Sequence, residues 1–214
     1  MTPVIFLSDL YVANGAEPWL VPNIGDLSKI ENSFASTEED YVIYRRDPDT
    51  LARKQAIPGQ VGLEHRIGGL EKSEDGSVSY DPENHEKMTH LRAQKVAGIA
   101  KSYDPCEIQG DSEGDLLVVG WGGTYGAISS AVGLLRAEGY AVSNVHLRHL
   151  NPLPEDLGKI LGRFKKVLVP ELNLGQLSFL LRAKYLVDVI SFGRVQGKPF
   201  KVSELQKKFL EYLG

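Results

Sequence analysis

From Asp115 onward the chain alternates between two hydrophobic periods. Residues 116–119 (Leu-Leu-Val-Val) form a continuous apolar run, the pattern of a strand buried on both faces, and a turn carrying Gly120, Gly122, Gly123 and Gly126 follows. The period then changes: Ile128, Ala131, Val132 and Leu135 are spaced i, i+3, i+4, i+7, which predicts a helix over about 124–137, ended by Gly139. A strand at about 141–148 precedes Asn151-Pro152-Leu153-Pro154, a loop and helix start with Leu157, Ile160, Leu161 and Phe164 on one face. A strand at 166–170 leads through a loop at 171–175 into a helix presenting Leu177, Leu180, Leu181 and Tyr185. A fourth strand, at about 187–192, precedes a final helix with Leu205, Phe209, Tyr212 and Leu213 inward, for which Ser203 and Gln206 read as a capping box. This alternation predicts an α/β fold, a mostly parallel sheet with helices on both faces.

The first half reads differently. Val4 to Leu7 look like a strand beginning almost at the N-terminus, which leads us to expect further sequence upstream. Residues 9–31 carry Pro18, Pro22, Gly15 and Gly25 without a sustained period; Leu10, Tyr11, Trp19, Leu20 and Val21 would be poorly placed in water, so a partner surface is expected over them. Tyr41 to Tyr44 suggest a short strand. Residues 45–80 are turn-rich. Asp81-Pro82-Glu83 then supplies an N-cap, a proline at N1 and an early acid for a helix to about Ser102, with Met88, Leu91, Val96 and Ile99 on one side. A polar linker, 103–114, leads to the alternating half.

Composition narrows the functional classes. Of the 214 residues, 42% are hydrophobic and 24% charged, and the net charge of −4 is spread along the chain. No basic stripe is present for a nucleic-acid backbone and no polybasic anchor for a membrane. No apolar run reaches the roughly 20 residues of a membrane span. Cys106 is the only cysteine, so an internal disulfide and a thiolate cluster site are excluded, and a cytoplasmic location is expected.

The glycine turn could present backbone N–H groups of Gly122, Gly123 and Thr124, with the Thr124 hydroxyl, to an anion such as coenzyme A. Its spacing is one residue too long for a dinucleotide fingerprint, and no Gly-Lys-Ser/Thr follows; glycines that only permit close strand–helix packing are the alternative. His85 and His90 are five apart, about 140° around a helix, and do not face one metal. His146 alternates with apolar neighbours and reads as a buried, hydrogen-bonded histidine. Glu64, His65 and Arg66 lie between Gly62 and Gly68-Gly69, a loop that either holds a ligand or partner or is a solvated turn. Asp9, Tyr11 and Asn14 follow the first expected strand, where open α/β sheets place ligands, although Asp and Asn also form turns unaided.

Six segments carry a resemblance: residues 3–19 (PVIFLSDLYVANGAEPW), 57–69 (IPGQVGLEHRIGG), 80–88 (YDPENHEKM), 116–128 (LLVVGWGGTYGAI), 146–154 (HLRHLNPLP) and 166–177 (KVLVPELNLGQL). In this order they resemble the C-terminal half of the α subunit of 2-oxoacid:ferredoxin oxidoreductases, of the 2-oxoglutarate (2-oxoglutarate synthase) type. The resemblance implies a thiamine-diphosphate enzyme that oxidatively decarboxylates a 2-oxoacid with coenzyme A and passes electrons to ferredoxin. It implies that 1–9 is the last strand of a truncated pyrimidine-binding domain, 10–114 a crossing segment, and 115–214 a domain like the C-terminal domain of transketolase. The implied partners are the missing N-terminal pyrimidine-binding domain and a β subunit carrying the pyrophosphate-binding domain and an iron–sulfur cluster, with ferredoxin engaged indirectly. The family's Tyr-Pro-Ile-Thr-Pro type segment and its thiamine-activating glutamate are absent here. The isolated chain is therefore expected to be inactive and to bind no thiamine diphosphate, Mg or cluster alone. A free-standing α/β module for an anion or coenzyme A is the alternative.

Overall fold

A computed structural model of the chain describes residues 2–16, 18–29, 32–37 and 40–213. Met1, Glu17, Ile30, Glu31, Glu38, Glu39 and Gly214 lie outside the described residues, and with them the first residue of the expected strand-bearing segment 1–9 and the ends of the segments 9–31 and 115–214. The chain divides into two units: Met1–Val4 with Pro18–Ile99, and Ile5–Glu17 with Ala100–Gly214.

The strand expected at Val4 to Leu7 does not form. These residues pair with no strand, and Ile5 and Phe6 are 85% and 87% exposed. An apolar run acquires strand geometry only when a neighbour takes its backbone N–H and C=O groups. The chain turns at Asp9, whose Oδ1 accepts from the backbone N–H of Tyr11 at 2.8 Å and caps the short helix α1 (Leu10–Ala13).

The first unit holds little regular structure before its helix. Isolated bridges pair Phe34 with Gln55, Arg46 with Arg53 and Lys72 with Val78. The strand expected at Tyr41 to Tyr44 is instead a turn, closed by Arg45 N donating to Val42 O at 3.0 Å. Among the described residues Ala35, Ile43, Leu63 and Met88 are its buried apolar side chains. Lys72 is buried with them, and its ammonium donates to the carbonyls of Gly68 and Leu70, both at 2.8 Å, so the charge is held by backbone dipoles. Helix α2 (Pro82–Gly98) starts where Asp81 accepts from Glu83 N at 3.1 Å, with Pro82 in the first turn, and tightens into a 3-10 turn at Ile99–Ser102.

The second unit is built on a sheet. In chain order its elements are β1 (Ile108–Gln109), β2 (Gly114–Trp121), α3 (Tyr125–Ala137), β3 (Val142–Leu147), α4 (Leu157–Leu161), β4 (Phe164–Glu171), α5 (Gln176–Tyr185), β5 (Val189–Gly193) and α6 (Val202–Leu213). The strand order is β1-β3-β2-β4-β5, parallel except for β1, which pairs antiparallel to β3 through Ile108↔Val145 and Gln109↔Asn144. This is the expected α/β fold. The two-residue β1 lies inside the stretch read as a polar linker; two residues are too few to show a period.

Two cores cover the two faces. Leu117, Val119, Val145, Leu147, Val167 and Val169 pack with Leu157, Leu161, Leu177 and Leu181 of α4 and α5. Leu116, Val118, Val142 and Leu168 pack with Ile128, Ala131, Val132 and Leu135 of α3 and with Leu205 and Phe209 of α6. Leu116 to Val119 are therefore fully buried from both sides, which is why they read as one apolar run. The expected Ser203–Gln206 capping box is replaced. The helix begins two residues earlier, and the Glu204 carboxylate accepts from Lys201 N at 3.4 Å.

Candidate functional site

In this sheet β2 has β3 on one side and β4 on the other, so the connections out of β2 and β3 run in opposite directions along it. Open α/β sheets bind ligands at the crevice beyond such strand ends. Here the crevice is occupied by the chain itself. Glu171, the last residue of β4, has no solvent exposure; its carboxylate accepts from Leu177 N at 2.8 Å, Ser178 N at 2.9 Å and Ser178 Oγ at 2.8 Å, and from Trp121 Nε1 at 3.4 Å. The Asn173 Oδ1 accepts from Gly175 N at 2.7 Å and Gln176 N at 3.1 Å. The free N–H groups and positive dipole end of α5 thus receive an anion from the same chain. Sequence reading passed over Glu171. Its signal was an acid closing an apolar strand shortly before a helix.

The glycine turn is filled in a similar way. A Cβ at Gly120 would lie 2.6 Å from Ile128 Cδ1, so this glycine serves close strand–helix packing, whereas Gly122 adopts φ +56. Thr124 Oγ1 accepts from Trp121 N at 3.2 Å and donates to Trp121 O at 2.8 Å. Asp9 Oδ2 is 2.9 Å from where a Gly123 Cβ would stand. At the turn expected to hold an anion or coenzyme A through Gly122, Gly123 and Thr124, the hydroxyl is bonded to Trp121 and the Asp9 carboxylate stands beside Gly123.

Of the other expected site residues, Asp9 and Asn14 act as turn formers, Asp9 as the cap of α1 and Asn14 through its N–H to Leu10 O at 3.0 Å; Tyr11 is exposed. With no strand at Val4 to Leu7, these residues do not stand beyond a strand end. Glu64, His65 and Arg66 belong to the first unit. Glu64 Oε2 accepts from Gly62 N at 2.9 Å, His65 Nδ1 lies 2.8 Å from Leu63 O, and Arg66 is exposed, so the loop is closed on itself. His85 pairs with Glu71 at 2.6 Å and His90 with Glu86 at 3.7 Å. Among the described residues no three His, Cys, Asp or Glu side chains converge as a metal site.

The second unit carries a groove of about 720 Å³ between the end of β3, the start of α3 and residues 103–107. Asn144 and Ser129 line it, and Asn144 Oδ1 and Ser129 Oγ are buried with no hydrogen-bond partner. His146 projects from β3 beside them. It is half-buried with no hydrogen bond among the described residues, a correction to the expected hydrogen-bonded histidine, and it meets the edge of Tyr125 at 5.0 Å between ring centres. Burial, and then the charge of Arg148, push its pKa below the usual histidine range, so the ring is neutral at pH 7. Cys106 also lines the groove. Burial and the Asp156 carboxylate push its thiol up to about 12, which removes it as a nucleophile at neutral pH. His149 stacks on Tyr103 at 3.9 Å. The groove offers the unpaired Asn144 Oδ1 and Ser129 Oγ and aromatic faces, with Asp104, Glu107 and Arg148 also in its lining.

Comparison with known proteins adds the decisive observations. Residues 114–205 match the family description "Pyruvate:ferredoxin oxidoreductase core domain II". The chain is 49% identical over 206 residues to the 2-oxoglutarate oxidoreductase subunit KorA of Mycobacterium tuberculosis, covering 95% of this chain and 31% of that protein. It is 30% identical over 223 residues to subunit alpha of 2-oxoacid:ferredoxin oxidoreductase 2 of Aeropyrum pernix, covering 98% of this chain and 34% of that one. Along nearly all of its length the chain is similar to subunits of 2-oxoglutarate and 2-oxoacid:ferredoxin oxidoreductases. Among solved structures, the 2-oxoglutarate:ferredoxin oxidoreductase from Magnetococcus marinus, with 2-oxoglutarate, coenzyme A and succinyl-CoA bound, superposes with a TM-score of 0.84 at 31% identity, over 90% of this chain and 34% of that one. The chain therefore spans about a third of the length of these α-subunit relatives.

Proposed function

We propose that the chain contributes domain II and an apolar docking stretch to a 2-oxoglutarate:ferredoxin oxidoreductase, and that the reacting centre is completed by other polypeptide. The observation that carries this reading is the 49% identity to a 2-oxoglutarate oxidoreductase subunit along 95% of the chain. Thiamine diphosphate, Mg, the iron–sulfur cluster and coenzyme A are assigned to that larger assembly. In it the chain's own sheet, with its crevice closed by Glu171 and Trp121, serves as a scaffold.

Supporting it are two exposed apolar sets, Trp19, Leu20, Val21 and Ile24 in the first unit and Ile5, Phe6 and Leu10 in the second. Such concentrations of large apolar side chains mark surfaces covered by another polypeptide. We assign the cover to the pyrimidine-binding domain of the α subunit, with the β subunit as the competing occupant. No helix among the described residues is long and apolar enough to cross a membrane, and the net charge of −4 gives nucleic acid no footing.

Co-expression tests this. The chain produced with a separately encoded N-terminal α segment and a β subunit should co-elute with them and support 2-oxoglutarate-dependent, coenzyme A-dependent ferredoxin reduction, while the chain alone shows none. Trp19→Ser with Leu20→Ser should abolish co-elution with the α segment while leaving the circular dichroism spectrum unchanged. Co-elution with neither component, or turnover by the isolated chain, overturns the proposal; retention by the β subunit alone reassigns the cover.

A further inference from the structure

The first unit contains a cavity of about 430 Å³ whose lining includes Tyr41, Arg45, Arg46, Asp47, Thr50 and Arg53. Its acids are already engaged. Asp40 pairs with Arg45 at 3.2 Å, and Asp47 Oδ1 accepts from Asp49 N, Thr50 N and Thr50 Oγ within its own turn. Two of its donors are not. The Tyr41 hydroxyl and Arg46 Nε are buried without a hydrogen-bond partner. A guanidinium nitrogen can only donate, so what is missing beside it is an acceptor.

The surroundings fix the sign of that acceptor. Arg46 and Arg53 are cross-strand partners in an isolated bridge, and both are half-buried. Arg53 lies over the Tyr44 ring at 4.9 Å, and its Nη1 reaches Ile43 O at 3.4 Å; Arg46 and Arg53 both line the cavity. Burial, then Arg53 and Arg92, push the Arg46 pKa below its ordinary value; burial, then Arg46 and Arg53, do the same to Lys95. Among the described residues, the charges that lower the Arg46 pKa are those of Arg53 and Arg92, with Tyr44 opposing them more weakly. Like charges gathered in a half-buried place, together with orphaned donors, are what remains when an anion is taken out of its site.

We propose that this cavity, at Tyr41, Arg46 and Arg53, is a binding site for a phosphate-type oxyanion, either free phosphate or the phosphate of a nucleotide. A tetrahedral anion has acceptor oxygens for the Tyr41 hydroxyl, Arg46 Nε and the Arg53 fork at once, and its double charge suits several neighbouring cations better than a single carboxylate does.

Titration calorimetry of the chain at low salt, with inorganic phosphate, ADP and succinate as probes, tests the site. Phosphate should bind and weaken with added salt, ADP should bind if the source is a nucleotide, and succinate should bind more weakly than phosphate. Arg46→Gln should weaken phosphate binding by about tenfold or more, the scale of a lost charge-assisted contact. Tyr41→Phe, which removes one O–H and keeps the ring, should weaken it several-fold and guards against a folding defect in the arginine variant. Arg182→Gln, which breaks the exposed pair to Asp188 in the other unit, should change nothing. No heat with millimolar phosphate, unchanged binding in both Arg46→Gln and Tyr41→Phe, or equal binding of succinate overturns the proposal; the first outcome leaves water as the partner of the two donors.

Discussion

The two units differ in how their backbone groups are satisfied. In the second, four parallel strands and one short antiparallel strand supply ladders, and two cores bury Leu116 to Val119 from both sides. In the first, outside α2, three isolated bridges, turns and side-chain caps take that role, and its buried apolar side chains are Ala35, Ile43, Leu63 and Met88 among the described residues. The difference separates two ways of holding a chain. One unit is held by cooperative apolar burial, the other by local polar contacts such as Asp47 with Thr50, Asp75 with Ser73 and Ser77, and Glu71 with His85 and Arg92. Regions of the second kind open locally at lower free energy, so amide exchange should be faster across 40–80 than across β2 and β4.

The sharpest way to break the comparison is to empty a core position in one unit and trim a surface one in the other. Leu117→Ala should cost about 3 kcal/mol in urea unfolding, through lost transfer energy and a cavity between sheet and helices. Ile67→Ala, at an exposed position, should cost less than about 0.5 kcal/mol. Similar losses from both would remove the distinction. Next in size is the carboxylate that fills the crevice beyond β2 and β4. Glu171→Ala leaves Leu177 N, Ser178 N, Ser178 Oγ and Trp121 Nε1 without their acceptor and should cost about 2–3 kcal/mol, with Glu171→Gln recovering part of it, measured the same way.

Acid separates the units by onset. His146 in the sheet unit has a lowered pKa, so the unfolded state takes up its proton first, and its contribution declines as pH falls below about 6.5. Glu71 in the first unit is held at about 2 by hydrogen bonds from Arg92 and His85; its contribution is complete above the ordinary value of 4.5 and disappears as pH falls from there toward 2. Amide exchange followed from pH 7 to pH 3 should show the sheet unit weakening first, and Glu71→Gln should flatten only the later phase in the first unit. The smallest effect concerns Cys106. Its thiol should alkylate slowly at pH 8 in the folded chain, and Asp156→Asn, which removes the neighbouring carboxylate, should speed the reaction several-fold. Equal rates in the two proteins would mean that burial alone holds the thiol protonated.

The sheet unit was legible in the sequence because burial on both faces leaves continuous runs such as 116–119, and because helices packed on one side keep their period, as in Ile128, Ala131, Val132 and Leu135. The first unit was not, for a physical reason visible at two places. Val4 to Leu7 and Tyr41 to Tyr44 have strand-like composition, but strand formation depends on a neighbour that local composition does not report. The candidate site residues show a related effect. In the sequence Thr124, Glu64 and His65 are equally compatible with meeting a ligand and with local turns; in the fold their hydrogen bonds are made to backbone atoms two or three residues away. Glu171 went unnoticed because an acid at a strand end reads as solvated until the helix above it is in place. The orphaned donors at Tyr41 and Arg46 have no sequence signal, since they are defined by what fails to approach them.

The two-residue strand β1 has a practical consequence for anyone isolating the sheet unit. The family match begins at residue 114 and ends at residue 205, yet the sheet's outer strand lies at Ile108–Gln109 and the fully buried Phe209 lies in α6. A domain cut to the matched boundaries would uncover the middle of β3, where Asn144 and Val145 are paired with β1, and would open a cavity under α6. An open, apolar strand edge recruits the same edge of a second molecule, so such a fragment would precipitate where one beginning before Tyr103 and ending after Leu213 stays dispersed.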